Sequence, residues 1–99
     1  MKLAISGEER DESSKVSDVG GRAPYYHIYE DGEHEVIKNP YAKARGGAGR
    51  KLPGFFEEKG IELVISGHFG INMQRSLEEK GIRYKEVEIM TVKDAKAQT

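Results

Sequence analysis

The pentapeptide Glu57-Glu58-Lys59-Gly60-Ile61 returns 21 residues later as Glu78-Glu79-Lys80-Gly81-Ile82. Each copy has a charged helix end, a glycine that stops the helix and a β-branched residue that opens a strand. One helix-stop-strand solution is therefore used twice. Two copies are too few for a solenoid. They constrain the second half of the chain to strands joined by helical crossovers, which requires a sheet with helices packed on it.

The rest of the order follows from local signals. Leu3-Ala4-Ile5, ending at Ser6-Gly7, reads as a short buried strand. Glu8 to Asp18 is polar and reads as an exposed loop. Tyr25 to Glu30 and Glu33 to Lys38 flank Asp31-Gly32, a tight-hairpin signal. The second arm is highly charged and suits a sheet edge, and Asn39-Pro40 ends it. Leu52, Phe55 and Phe56 have helical spacing, and Pro53 predicts a helix that starts close to itself. Ile61 to Ser66 reads as a buried strand, about Ile71 to Lys80 as a helix with Met73 and Leu77 inward, and Ile82 to Val87 as a strand. Thr91 with Asp94 predicts a capped final helix. With right-handed crossovers the expectation is a mixed five-stranded α/β sheet of order 3-2-1-4-5, the ribonuclease-H-like architecture.

Ninety-nine residues are expected to make one domain over 1–99, with 88–99 a short terminal helix and tail. Charged residues make up 33% of the chain, against about 25% in typical soluble domains. The net charge of −1 argues against non-specific nucleic-acid binding. No apolar run is long enough to cross a bilayer, and Met1 to Ser6 reads as a strand and not as a signal peptide. The chain has no cysteine. The expected location is the cytoplasm, and a composition rich in Lys and Glu leans towards a heat-adapted source.

The strand order gathers glycine-bearing loops at the carboxyl ends of the strands, where open α/β sheets bind ligands. Those loops carry Gly20-Gly21-Arg22, Arg45-Gly46-Gly47-Ala48-Gly49-Arg50 and Gly67-His68-Phe69-Gly70. Bare backbone N–H groups, arginines and helix N-termini all favour an anion. The expected site residues are Arg22, Arg45, Gly46, Gly47, Ala48, Gly49, Arg50 and His68, with His68 as metal contact. Either glycine turn could instead be purely structural. His27 and His34 read as strand residues, and Tyr25, Tyr26 and Tyr29 as packing and edge residues. Catalysis has little support. The first strand has no acid for a two-metal nuclease, the glycine turn lacks the Gly-Lys-Ser/Thr of a P-loop, and no nucleophile-base spacing is present.

Val16-Ser17, Gly21-Arg22-Ala23-Pro24-Tyr25-Tyr26, Asn39-Pro40, Gly46-Gly47-Ala48-Gly49 and Val64-Ile65-Ser66-Gly67, in that order and spacing, resemble the dinitrogenase iron–molybdenum cofactor biosynthesis family over about residues 2 to 92. The resemblance implies a ribonuclease-H-like fold. It also implies binding or carriage of a metal–sulfur cluster, such as the iron–molybdenum cofactor or a precursor, with a cluster-assembly or recipient protein as partner. Many members carry His-Phe before the Gly-Arg, where this chain has Val19-Gly20, and His68-Phe69 offers a histidine from the next loop. A preassembled cluster brings its own sulfides and negative charge, so a carrier without thiolates is chemically reasonable. The alternative is a small regulatory or interaction module that binds a nucleotide phosphate or oxyanion in the same pocket.

Overall fold

A computed structural model describes residues 1–44 and 47–99, so Arg45 and Gly46 lie outside the described residues. The strands are β1 (Leu3–Gly7), β2 (Tyr25–Glu30), β3 (Glu33–Lys38), β4 (Leu63–Ser66) and β5 (Arg83–Glu86). The helices are α1 (Ala48–Glu58), α2 (Ile71–Glu79) and α3 (Val92–Ala97), with a 3-10 turn at Gly20–Arg22. The sheet order is β3-β2-β1-β4-β5. The β1–β2 and β2–β3 pairs are antiparallel, while β1–β4 and β4–β5 are parallel. This is the expected mixed α/β sheet. Asp31 (φ 50°) and Gly32 (φ 82°) make the hairpin turn, and Gly60 (φ 75°) and Gly81 (φ 71°) take the left-handed conformation at the two repeated helix stops.

Alternation along the strands divides the core in two. Ala4, Tyr26, Ile28 and Val64 meet Leu52 and Phe56 of α1 and Met73 and Leu77 of α2. On the opposite face Leu3, Ile5, Tyr29 and Ile65 meet Val92 and Ala95 of α3 and Val16 of the first loop. Burying side chains such as Leu52 and Phe56, both fully enclosed, is worth about 1.5–3 kcal/mol each. The Thr91 hydroxyl accepts the Asp94 N–H at 3.1 Å, which is the expected cap of α3.

Two expectations are corrected. α1 does not start at Pro53; it opens at Ala48, straight out of the glycine turn. Gly47 sits at φ 79°, and its carbonyl accepts the Arg50 and Lys51 N–H groups at 3.0 Å each. Pro53 therefore lies inside the helix, where it forfeits one backbone bond, but its ring is fully buried. The first loop is also not exposed throughout. Lys15 forms a bridge with Thr91, the Val16 N–H reaches the Met90 carbonyl at 2.8 Å, and Val16 and Ser17 are buried. Polar composition predicted a solvated loop, but this backbone pairing with the segment before α3 holds Val16 and Ser17 inward.

Candidate functional site

Three chain segments are joined beyond the carboxyl ends of β1 and β4. The Gly67 N–H donates to the Ser17 carbonyl at 2.9 Å, and the Gly20 N–H to the His68 carbonyl at 2.8 Å. Val19 and His68 form a parallel bridge. These bonds need close backbone approach: a Cβ on Gly67 would lie 2.9 Å from the Ser17 and Asp18 carbonyl oxygens. Beneath the junction the buried Ser66 hydroxyl donates to the Ser17 carbonyl at 3.1 Å and accepts from Ser6 at 2.7 Å.

Asn39 joins the 3-10 turn to the segment after β3. Its buried amide donates to the Ala23 carbonyl at 2.9 Å and the Gly21 carbonyl at 3.2 Å, while its Oδ1 accepts the Tyr41 N–H at 2.9 Å. Nearby, Arg22 Nη1 donates to the Ala44 carbonyl. The Tyr26 hydroxyl donates to the Gly20 carbonyl at 2.6 Å from full burial, which pushes its ionisation well above the ordinary tyrosine range.

Between these segments and the two large helices lies a cleft of about 350 Å³, lined by Val19, Gly21, Arg22, Gly47, Gly49, Gly70, Ile71, Asn72 and Met73. Among the described residues no carboxylate is part of that lining. The starts of α1 and α2 meet here. A Cβ on Gly49 would come within 3.1 Å of the Met73 backbone nitrogen, a tight contact, so the glycine eases the close approach of the two helix starts. Neither Gly47 nor Gly70 supplies a side-chain cap. The N–H groups of Ala48 and Gly49, and of Ile71, Asn72 and Met73, thus lack intrahelical acceptors. Two helix dipoles and one guanidinium give the cleft a positive field.

The expected residues separate in space. Arg22, Gly47 and Gly49 line the cleft, and Ala48 begins α1 beside it. Arg45 and Gly46 lie outside the described residues. Arg50 is exposed on the first turn of α1 and is not in the lining. His68 contributes its backbone to the junction, but its side chain, 65% exposed, is not in the lining and lies 3.2 Å from Glu86 through Nδ1 and Oε2. The same Glu86 oxygen accepts the Phe69 N–H at 2.9 Å. Among the described residues no group of three or more His, Asp or Glu side chains could hold a metal ion. Sequence reading gave Asn39 only the role of a strand end and missed Val19 and Ile71 in the lining. The Asn-Pro pair did signal a turn, but nothing local showed which distant carbonyls the amide would reach.

The profile of the family described as dinitrogenase iron-molybdenum cofactor matches residues 1–98. The chain is similar to a NifB-like protein from Thermotoga solved by NMR, with 35% identity, a TM-score of 0.83, and coverage of 97% of this chain and 84% of that one. It shares its fold with the apo form of the orange protein from Desulfovibrio gigas, with 21% identity, a TM-score of 0.91, and coverage of 98% and 84%. No protein of curated function matches the chain.

Proposed function

The chain belongs to the dinitrogenase iron-molybdenum cofactor family, and on that premise we propose that it is a non-enzymatic carrier of an anionic metal–sulfur cluster, the iron–molybdenum cofactor or a related precursor. One observation carries this reading. Two helix N-termini without side-chain caps and Arg22 face one cleft whose lining, among the described residues, contains no carboxylate. Such a site attracts negative charge and gives it N–H donors from several directions.

The donor set suits a preassembled cargo better than a bare ion. The chain has no thiolate to offer, whereas a cluster with its own sulfides needs only hydrogen bonds and charge from its host. Arg22 keeps part of its guanidinium fork for the cargo while one nitrogen holds the Ala44 carbonyl. Val19 and Ile71, 42% and 61% exposed, give the cleft an apolar rim that limits water around the cargo. We place Arg22, Gly47, Ala48 and Gly49 at the cargo, with Arg45, Gly46 and Arg50, their neighbours in the sequence, as further proposed contacts. His68 can reach a cargo at the rim by leaving Glu86, with its backbone held beside Val19, in the position where many family members carry their histidine. The strand order is the one that ribonuclease-H-like folds use.

Anaerobic mixing with isolated iron–molybdenum cofactor, followed by gel filtration, tests the reading. The cofactor absorption should co-elute with the protein, and Arg22→Ala should weaken binding by about tenfold. His68→Ala should weaken it too if the imidazole is a contact. No co-eluting absorption, with inorganic phosphate or a nucleotide bound instead, would leave the oxyanion module as the correct account.

A further inference from the structure

A second groove, about 350 Å³, lies beside the cleft and is lined by Pro24, Tyr25, Lys38, Asn39, Pro40 and Lys43, with Ala42 at its wall. Lys38 is the cross-strand partner of Tyr25, and the Arg10 guanidinium stands over the Tyr25 ring at 5.0 Å. Three cations from three segments thus stand at the groove or over its half-buried aromatic ring: Lys38 from β3 and Lys43 from the following turn in the lining, and Arg10 from the first loop over Tyr25. None of them makes an ion pair with a carboxylate among the described residues.

The charge of the chain is segregated in the same way. From Val36 to Phe56 there are five basic residues and no acid, so the remainder of a chain of net charge −1 carries −6. This basic run borders both the groove and the cleft. Asn39 binds the segment to Gly21 and Ala23, and Arg22 binds it to Ala44.

We propose that this groove docks an acidic, extended segment of a partner protein, which places that partner against the rim of the cleft. The cations stand on long side chains from separate segments, and no helix starts in the groove. That layout suits carboxylates spaced along a peptide better than one compact phosphate. Pro24 and Pro40 give an extended chain a rigid apolar floor, and Tyr25 adds a face for its side chains. The net charge of −1, with −6 carried outside this run, works against a long polyanion such as nucleic acid, which would meet that acidic remainder. Complementary charge would speed encounter and fix orientation, which suits brief loading or unloading contacts. That delivery role rests on the carrier reading; the binding of acidic peptide does not.

The test is an NMR titration of the isotope-labelled full chain with a short Glu-rich peptide, with a Lys-rich peptide and inorganic phosphate as parallel arms. The Glu-rich peptide should shift the amides of Tyr25, Lys38 and Lys43 and lose affinity as salt is added. The double variant K38E/K43E should bind it about tenfold more weakly or worse while keeping its folded spectrum. Shifts scattered over other lysines, unchanged binding by the double variant, or stronger binding of phosphate at the same amides would each overturn the proposal. Cofactor co-elution with K38E/K43E keeps the two readings separate. Loss of peptide binding with cargo retained tests the groove alone. Peptide binding by a chain that never takes up cargo would retain the groove and remove the carrier role.

Discussion

Phe69 occupies the space that a side chain on Gly20 would need: a Cβ there would lie 3.0 Å from ring atoms Cδ1 and Cε1, and 3.2 Å from the Tyr26 hydroxyl. The ring is fully buried in the larger core and packs edge-on to Tyr84 with centroids 5.5 Å apart. The glycine therefore admits an aromatic anchor from the neighbouring loop, and the Gly20–His68 backbone bond holds the two loops in register.

Gly20→Ala should cost about 1–3 kcal/mol by overpacking. Phe69→Leu should cost stability on its own through lost volume. In the double variant the penalties should sum to less than their total, because the smaller side chain makes room for the added methyl. Urea unfolding of the four proteins in this cycle measures the coupling; strict additivity would show that the two positions do not compete for one space.

Asn39→Ala should cost about 1–3 kcal/mol, since the Gly21 and Ala23 carbonyls and the Tyr41 N–H all lose a partner. Asn39→Asp should cost more. The new carboxylate would keep the bond from Tyr41 but turn an oxygen towards two carbonyl oxygens. Thermal unfolding ranks the variants, and hydrogen exchange at Tyr41 reports whether the turn has opened.

Acid should destabilise the fold through His27. Its Nε2 lies 2.9 Å from the Glu9 carbonyl and must donate to it, so the facing Nδ1 accepts from His34 Nε2, also at 2.9 Å. Burial is the main cause that lowers the His27 pKa from its ordinary 6.5; the Glu9 carbonyl opposes the shift, the His34 charge adds to it, and Glu12 and Asp11 oppose it. The folded state therefore binds this proton less readily than the unfolded chain. The His27 contribution is complete above pH 6.5 and is lost as pH falls through the lower folded-state pKa. Denaturant midpoints across this range should fall with acid, and more shallowly in His27→Gln. Equal slopes in the two proteins would assign the loss to other groups.

The hairpin and the two repeated helix stops were legible in the chain because each rests on a local cause, and the strand order followed from them through the fixed handedness of the crossovers. Glycine at a left-handed position, apolar alternation and the Thr91 cap act over a few residues and do not depend on distant partners. The α1 boundary was misjudged for a related reason. Proline marks a local preference for the helix start, while the burial of its ring and the left-handed turn at Gly47 decide the outcome through packing and backbone bonds.

The sequence by itself determined which residue types could hold an anion and at which end of the sheet they would lie. Tertiary structure decided which of them share a space. Arg22 and the starts of α1 and α2 converge because Gly49 lets two backbones touch, and Asn39 ties their connecting segments together. His68 shares the loop junction, but its imidazole lies against Glu86, which β5 contributes. The physical reason is range. Turns, caps and alternation follow from neighbours in the chain, whereas the direction of a long side chain depends on charges and carbonyls that only the assembled sheet brings within reach.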